Sequence, residues 1–315
     1  MEKISFVIPC YRSSKTIKNV VSEITSAMQK IPEYDYEVIL VNDSPQDNVW
    51  NVISEICEKD THIIGCNLSK NFGQPSATMA GFSLVSGDYI ITMDDDGQSP
   101  VDATPGIIKM LKEGNYDVVY GVCKQAKFGF FRRLGSYVNR LMASYAFNRP
   151  KEHRIISFCI YRRFVIEEMK NYKNMYTYLS GLTYRSTNNI GFYSVVHRER
   201  AEGKSGYSFK KLIKLWLNGL TAFSVKPLRI ASYFGILLAA IGFIMGLVVA
   251  VSKLINPATA AGWSSIICLL LFLNGVSFVI MGLMGEYIGR IYMCINNSPQ
   301  YVIREIIGEK FDNKR

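Results

Sequence analysis

Short runs of β-branched residues alternate with helical patterns over roughly the first 120 residues of the chain. Five apolar runs predict strands, namely ISFVIP, EVILVND, IIGCNLS, DYIITMDD and DVVYGV. Apolar residues between these runs recur at helical spacing and predict helices near residues 16–28, 48–59, 75–85 and 103–113. Strands separated by helices imply an α/β fold with a doubly wound, mostly parallel sheet. Such sheets bind ligands in a crevice at the carboxyl ends of their strands.

Two long uncharged stretches, at residues 230–252 and 263–284, follow this domain. The first would be about 34 Å long as a helix, against a hydrocarbon core of about 30 Å. A short link separates the stretches, so the pattern predicts a hairpin of two transmembrane helices. Buried core helices of a soluble protein are the alternative, but such helices rarely stay uncharged on every face over about 20 residues.

Charge is distributed unevenly around this predicted hairpin. Lysines and arginines lie on both of its flanks, whereas the link carries only Lys253. Both ends of the hairpin, and with them the preceding domain and both termini, are therefore predicted to be cytoplasmic in a multi-pass protein of the cell (inner) membrane. Residues 207–229 interleave lysines with apolar side chains. They predict an amphipathic juxtamembrane helix, either in the membrane interface or packed on the globular domain.

This arrangement divides the chain into four parts and accounts for its net charge. The parts are a cytoplasmic globular domain (1–206), the amphipathic segment (207–229), the transmembrane hairpin (230–285) and a cytoplasmic tail (286–315). Lysine and arginine number 36 and aspartate and glutamate 26, which gives a net charge of +10. Because basic residues beside a membrane attract anionic lipids, no nucleic-acid partner is needed to explain this excess. The sequence also contains no zinc finger and no RNA-binding signature.

Residues of unusual type stand at the ends of the predicted strands: Pro9, Tyr11, Asn42, Asp43, Asn71, Gly73 and Asp94 to Asp96. The three adjacent carboxylates repel one another unless a cation neutralises them. Along an extended chain, Asp94, Asp96 and Gln98 would point one way and Asp95 the other, so the first set could converge on one hard metal ion. Oxygen ligands suit Mg²⁺ or Mn²⁺ rather than zinc. A solvated acidic loop is the alternative.

Six segments of the chain occur in an order typical of one enzyme group: VIPCYRSSKTI, VNDSPQD, NFGQPSATMAGFSLVSGDYIITMDDDGQSPVD, RAEGKSGYSFKKL, SVKPLR and MGEYIGRIY. On these segments the chain resembles the family 2 glycosyltransferases. Within them it resembles the polyprenyl-phosphate subgroup, which includes dolichyl-phosphate mannose synthase and bacterial undecaprenyl-phosphate sugar transferases. The resemblance implies a GT-A fold and an inverting, metal-dependent transfer of a sugar from a nucleotide-sugar to a polyprenyl phosphate, expected to be undecaprenyl phosphate. UDP is favoured over GDP as the donor nucleotide, and self-association into a homo-oligomer is left open.

The resemblance also implies roles for the residues at the strand ends. The donor contacts that it implies are Pro9, Tyr11, Asp43, Asn71, Gly73 and Asp95. Pro9, Tyr11 and Asp43 are expected to line the base and ribose. Asp94 and Asp96 are the candidate catalytic residues and, with Gln98, correspond to the family's metal-binding DxDxQ motif, which holds the donor diphosphate through Mg²⁺ or Mn²⁺.

The acceptor phosphate is expected to meet arginines near the membrane. The candidates are Arg132, Arg133 and Arg200, of which Arg200 is the closest motif match. Many family members carry an Asp-Phe-Arg-Leu-like segment, which here reads SFCI from Ser157, so neither the Asp nor the Arg is present. This departure fits a reaction that needs no general base, because a phosphate monoester is already largely ionised at neutral pH.

Two other functions agree with parts of the sequence. A processive polysaccharide synthase shares this domain, but such synthases carry a QxxRW motif, and none of Trp50, Trp216 and Trp263 follows an arginine. A membrane-tethered nucleotide-binding scaffold without turnover would explain the altered segment at Ser157. A site without turnover, however, would have no need of three metal ligands in register. The sequence does not identify the transferred sugar.

Overall fold

The computed structural model describes residues 1–123, 155–175, 177–195, 226–255, 262–296 and 299–308. The chain divides into two compact units. The first comprises Met1–Tyr207 together with Asn297–Arg315, and the second comprises Ser208–Asn296. The first unit is built on an eight-stranded sheet, whereas the second contains two long helices.

The strands of the first unit carry the apolar runs seen in the sequence. They are β1 (Glu2–Cys10), β2 (Tyr34–Asn42), β3 (Ile63–Leu68), β4 (Tyr89–Thr92), β5 (Val118–Cys123), β6 (Ile155–Arg162), β7 (Ile190–Val195) and β8 (Ile303–Ile307). Their order across the sheet is β7-β5-β6-β4-β1-β2-β3-β8. The central strands are buried on both faces, which is why they read as continuous apolar runs rather than as alternating ones.

Six helices of the first unit are described: α1 (Ile17–Met28), α2 (Val49–Cys57), α3 (Gln74–Phe82), α4 (Thr104–Glu113), α5 (Arg163–Lys170) and α6 (Leu179–Ser186). The first four lie within or close to the ranges predicted from periodicity. In α1, for example, Ile17, Val20, Ile24 and Met28 recur at helical spacing and are all buried in the core.

Parallel pairing brings the ends of four strands to one edge of the sheet. β1 pairs in parallel with β2 and with β4, and β2 pairs in parallel with β3. β6 lies antiparallel between β4 and β5, so β4 and β5 are not neighbours. The predicted α/β fold with a mostly parallel sheet is confirmed, and the carboxyl ends of β1 to β4 open on the same edge.

The strand β8 comes from the other end of the chain. It pairs antiparallel with β3, and the backbone N–H of Ser69 donates to the carbonyl of Val302 at 2.9 Å. Gly65 of β3 leaves room for Ile307, since a Cβ atom at Gly65 would lie 2.7 Å from the Ile307 side chain. No strand was expected in residues 286–315, so β8 is a finding of the structure.

The second unit contains α7 (Lys226–Ile255) and α8 (Trp263–Ile295), which include the two predicted spans. By length and composition each helix can cross a membrane, with candidate spans at Ala231–Val248 and Phe272–Ile295. No part of these spans is buried among the described residues, and apolar side chains such as Phe243 and Val279 are more than 70% exposed. Such exposure suits contact with lipid better than a place in a soluble core.

Candidate active site

The acidic segment follows directly after β4 and is bent. The backbone N–H of Asp94 donates to Ser99 Oγ at 3.2 Å, and the N–H of Gln98 donates to Asp96 Oδ1 at 3.1 Å. Gly97 between them has a φ of 74°, in the left-handed region that favours glycine. The extended geometry expected from the sequence is therefore wrong for this segment. Its carboxylates and the Gln98 amide are half-buried at the edge where the parallel strands end.

Asp95 connects this segment to the loop between β1 and α1. Its Oδ2 atom accepts a hydrogen bond from the backbone N–H of Tyr11 at 2.8 Å, and its main-chain carbonyl accepts one from Thr16 Oγ1 at 2.7 Å. Burial raises the pKa of Asp95 to about 6, and the neighbouring charge of Asp94 acts in the same direction. The N–H of Tyr11 opposes this shift because it stabilises the charged form.

Tyr11 lies at the open edge of the site, whereas Pro9 lies within β1. The Tyr11 side chain is 50% exposed, and the Arg12 guanidinium is 5.3 Å from the centre of its ring. Arg12 has a φ of 57°, which is uncommon for a residue with a side chain. Pro9 is buried and stands opposite Val41 of β2. Of these two predicted donor contacts, Tyr11 is the one whose side chain is open to a ligand.

Asp43 joins the end of β2 to the loop after β3. It is only 3% exposed, and its two carboxylate oxygens accept hydrogen bonds from the backbone N–H groups of Phe72 (2.7 Å) and Gly73 (2.9 Å). Burial raises the pKa of Asp43, although both N–H groups act to lower it. Asp43 does not cap the next helix, since the N–H of Val49 donates to Asp47 instead.

The loop after β3 also reaches the acidic segment. Gln74 Nε2 donates to Asp94 Oδ1 at 2.7 Å. Gly73, which precedes it, has a φ of 87° and begins the turn into α3, and Asn71 is exposed in the same loop. The structure thus brings Tyr11 beside Asp95, Asp43 beside Gly73, and Gln74 beside Asp94.

Three residues of this network were missed from the sequence: Thr16, Gln74 and Ser99. Gln74 belongs to the segment NFGQPSA, but nothing in the local pattern indicates that its partner lies 20 residues further on. The predicted acceptor contacts Arg132, Arg133 and Arg200 lie outside the described residues. Ser157 lies at the start of β6, and its carbonyl accepts a hydrogen bond from Thr92 Oγ1 at 3.1 Å, beside the acidic segment.

The donor set after β4 fits a hard divalent cation that is shared with a diphosphate. Asp94, Asp96 and Gln98 offer two carboxylates and an amide oxygen within five residues. Among the described residues, no three side chains of the His, Cys, Asp and Glu types are grouped so as to hold a metal ion alone. Mg²⁺ is commonly bound by one or two carboxylates with substrate phosphates completing its shell. The residues present therefore fit such an ion without forming a closed cage.

Comparison with known proteins agrees with this geometry. Residues 5–170 match the model of "Glycosyl transferase family 2", and residues 226–291 match the "GtrB C-terminal hairpin". The undecaprenyl-phosphate 4-deoxy-4-formamido-L-arabinose transferase of Proteus mirabilis is 34% identical, covering 100% of this chain and 97% of the relative. The protein of that name from Yersinia enterocolitica is 35% identical with the same coverage.

Solved structures share the fold at low sequence identity. Mannosyl-3-phosphoglycerate synthase from Rubrobacter xylanophilus has a TM-score of 0.50 at 13% identity, over 69% of this chain and 71% of that one. Glucosyl-3-phosphoglycerate synthase from Mycobacterium tuberculosis, solved with Mn²⁺, UDP and phosphoglyceric acid, has a TM-score of 0.50 at 16% identity, over 70% and 78%. The GT-A fold expected from the sequence is confirmed. The family match over more than half of the chain and the full-length relatives show that the chain belongs to glycosyl transferase family 2.

Proposed function

We propose that the chain transfers a sugar from a nucleotide-sugar to a polyprenyl phosphate, with inversion at the anomeric carbon and a requirement for Mg²⁺ or Mn²⁺. One observation supports the proposal most strongly. Hydrogen bonds connect the loops after β1, β2, β3 and β4 at the edge of the sheet where the candidate metal ligands Asp94, Asp96 and Gln98 lie. The same chain has two helices able to span a membrane. A donor site and a lipid-facing anchor are the parts that transfer to a lipid phosphate requires.

The chemistry suits the residues that are present. A phosphate oxygen of the lipid forms a bond to the anomeric carbon, and the bond from that carbon to the nucleoside diphosphate breaks. The second pKa of a phosphate monoester is near ~6, so the attacking oxygen is already ionised at neutral pH. No side chain has to remove a proton, which agrees with a serine rather than an aspartate at Ser157.

Asp94, Asp96 and Gln98 would hold the divalent cation. When bound, the cation neutralises negative charge that develops on the leaving diphosphate. Tyr11 offers an exposed ring to the nucleobase. Asp43, at the end of β2, holds the backbone N–H groups of Phe72 and Gly73 in the loop after β3. Arg132, Arg133 and Arg200 remain the predicted contacts of the acceptor phosphate, since guanidinium groups bind phosphate through paired hydrogen bonds.

The connectivity of the sheet supports a hairpin with both ends on one side of the membrane. β8 follows α8 in the chain, yet it pairs with β3 in the same sheet as the strands that precede α7. The chain therefore leaves the globular unit and returns to it, which requires an even number of membrane crossings. Two crossings, by α7 and α8, satisfy this requirement. The excess of basic residues on the flanks supports a cytoplasmic globular unit at the inner membrane.

The names of the relatives limit the choice of acceptor to test more than they limit the choice of donor sugar. Those from Proteus mirabilis and Yersinia enterocolitica are named for undecaprenyl phosphate and for 4-deoxy-4-formamido-L-arabinose. Matches of 34% and 35% identity over the full length support undecaprenyl phosphate as the first acceptor to test. The formamido-arabinose donor belongs in a wider panel, because one or two altered pocket contacts suffice to change the sugar that an enzyme accepts.

A transfer assay tests the proposal. The purified full chain in detergent is incubated with undecaprenyl phosphate, Mn²⁺ or Mg²⁺ and a panel of labelled UDP- and GDP-sugars, and the label extracted into organic solvent is counted. We expect extractable label from one donor, lost when EDTA is added and absent without the lipid. Metal-dependent nucleotide binding without transfer from any donor would contradict the proposal and favour a scaffold without turnover.

A further inference from the structure

The loop between β1 and α1 carries Tyr11 and is held at two points by one residue. Asp95 accepts the Tyr11 N–H through its carboxylate at 2.8 Å and the Thr16 hydroxyl through its main-chain carbonyl at 2.7 Å. The two contacts lie at opposite ends of the loop, 84 and 79 residues away in sequence. The acidic segment thus clamps this loop at both of its ends.

One residue of this loop has an uncommon backbone conformation. Arg12, directly after Tyr11, has a φ of 57°, in the left-handed region that residues with a side chain rarely adopt. Such conformations persist where the surroundings over-determine them. Here the N–H groups of Thr16 and Ile17 both donate to the Ser13 carbonyl at 3.0 Å, and Asp95 fixes the residues on either side.

We propose that Asp95 is a positioning residue that holds Tyr11 in place for the nucleobase, and that it is neither a metal ligand nor a direct donor contact. This inference rests on the proposed function, because it assumes that Tyr11 meets the base of the donor. It reassigns Asp95, which the sequence placed among the donor contacts. Asp95 belongs to the same acidic triplet as the two candidate metal ligands, and its contacts with Tyr11 and Thr16 link that triplet to the loop that carries Tyr11.

Three observations support a positioning role for Asp95. Its Oδ2 atom accepts a hydrogen bond from the backbone N–H of Tyr11, so the carboxylate is directed towards the loop between β1 and α1. Its carbonyl is engaged by Thr16, so the main chain is fixed as well as the side chain. Finally, the ring of Tyr11 is half-exposed, so the fixed backbone presents an open side chain at the edge of the site.

Nucleotide binding by two substitutions at this position tests the proposal. UDP affinity in the presence of Mn²⁺ is measured by calorimetry for the full chain in detergent. Asp95→Ala removes the acceptor of the Tyr11 N–H and is expected to weaken UDP binding about tenfold. Asp95→Asn keeps an oxygen that can accept this N–H, so we expect affinity within about threefold of the wild type. Mn²⁺ binding without nucleotide, followed by electron paramagnetic resonance, should be unchanged in both variants.

The steady-state constants provide a second readout. For Asp95→Ala we expect the donor KM to rise about tenfold while kcat changes by less than about threefold, because the lost contact orders the free site and not the transition state. An Asp95→Asn variant as impaired as Asp95→Ala, with Mn²⁺ binding lost in both, would overturn the proposal and make Asp95 a metal ligand. Unchanged UDP affinity in Asp95→Ala would also overturn it.

A second pair of variants, at two threonines, tests the same proposal if Asp95→Ala does not fold. Thr16→Val is close in shape and removes the hydroxyl that donates to the Asp95 carbonyl at 2.7 Å, together with its longer contact of 3.3 Å to the Ser13 carbonyl in the same loop. We expect UDP binding about threefold weaker. Thr25→Val is the matched control, because the Thr25 hydroxyl donates to the Val21 carbonyl of its own helix at 3.2 Å and interacts with Tyr36, near the amino end of β2 and away from the acidic segment. Equal affinities in the two threonine variants would contradict the clamp. A wild-type chain that binds UDP but transfers no sugar would contradict the proposed function and leave this comparison intact.

Discussion

One strand, β2, has a buried carboxylate near each of its ends, and the two are held in different ways. Glu37, near the start of the strand, is 2% exposed, and Asp43, just after its end, is 3% exposed. Glu37 accepts hydrogen bonds from the Ser5 hydroxyl at 2.7 Å and from the N–H and hydroxyl of Ser86 at 2.6 and 2.7 Å. Lys3 Nζ lies 3.3 Å from its carboxylate. Among the described residues, the donors to the Asp43 carboxylate are two backbone N–H groups.

The pKa values follow this difference in surroundings. Burial alone would raise the pKa of Glu37, but the hydrogen bonds from Ser86 and Ser5 and the charge of Lys3 outweigh it, so the pKa is lowered. For Asp43 burial outweighs the hydrogen bonds, and the pKa is raised. The pKa of Asp95, at the same edge of the sheet as Asp43, is raised to about 6. Among the described residues, neither Asp43 nor Asp95 forms a salt bridge.

This contrast indicates that the buried carboxylates at the two ends of the sheet have different roles. At the amino ends, a carboxylate with a full set of donors stabilises the folded state. At the carboxyl ends, burial outweighs the hydrogen bonds to Asp43 and Asp95, so their ionised forms cost folding free energy. Proteins accept such costs where the strained or charged group serves a function. The comparison predicts that substitutions at the carboxyl ends reduce activity, and substitutions at the amino ends reduce stability.

The largest effect is expected for Asp96→Ala. If Asp96 holds the cation as proposed, its loss should lower the transfer rate about 10²- to 10³-fold, since the leaving diphosphate loses electrostatic stabilisation. The thermal unfolding midpoint should stay near that of the wild type. Asp35→Ala is the matched control, because Asp35 lies at the amino end of β2 beside Lys3. Equal rates for the two variants would refute the metal site.

The next largest effect is expected for Glu37→Ala. Removal of the carboxylate leaves the Ser86 N–H and the Lys3 ammonium without their buried partner, which should lower the free energy of unfolding by about 2–4 kcal/mol. Urea unfolding of the purified chain in detergent measures this, and UDP affinity of the folded protein should be unchanged. Glu113→Ala, at a side chain that is 70% exposed, serves as the control. A loss below about 0.5 kcal/mol would show that the amino end does not stabilise the fold.

Asp43→Asn is expected to have the opposite profile. Its folded-state pKa is raised, so the ionised form costs folding free energy at any pH above that value, and a neutral amide removes the cost. We expect an unfolding free energy within about 1 kcal/mol of the wild type, because the loss of one N–H acceptor offsets the removal of the buried charge. The amide cannot accept both N–H groups in the same geometry, so UDP affinity should fall about tenfold. A variant that is less stable but binds UDP normally would contradict the comparison, because Asp43 would then stabilise the fold as Glu37 does.

The smallest effect is a pH dependence of stability at the amino end. The pKa of Glu37 is lowered in the folded state, so its stabilisation is present above its ordinary value of about 4.5 and is lost as the pH falls through the lower folded value. The difference in unfolding free energy between the wild type and Glu37→Gln should therefore be largest near neutral pH and shrink below about pH 4.5. A difference that does not vary with pH would contradict this assignment.

Much of the fold could be predicted because its signals are local. The strands β1 to β5 are largely apolar runs, and α1, α2 and α4 have buried faces at helical spacing. β8 could not be predicted in this way, because IREII is short, carries two charges and becomes a strand only through its pairing with β3. The room for it is made far away in the sequence, at Gly65.

The site residues likewise divide into those that the sequence indicated and those that it missed. Residue type, together with the position directly after an apolar strand, indicated Asp94, Asp96 and Gln98 as candidate metal ligands. The bend at Gly97 was missed because a single glycine does not reveal its φ. Gln74 and Thr16 were missed because their partners lie 20 and 79 residues away, and only the register of the sheet brings them together. Long-range hydrogen bonds between loops are the part of a site that sequence patterns do not contain.

Metal-dependent nucleotide binding tests the account most directly. Binding of UDP and of GDP to the purified full chain is measured by calorimetry with Mn²⁺ and again with EDTA, for the wild type, Asp96→Ala and Asp35→Ala. The account predicts that one nucleotide binds to the wild type and to Asp35→Ala only when Mn²⁺ is present, and that Asp96→Ala does not bind it. Nucleotide binding that survives both EDTA and Asp96→Ala would contradict a metal-dependent donor site at the carboxyl ends of the strands.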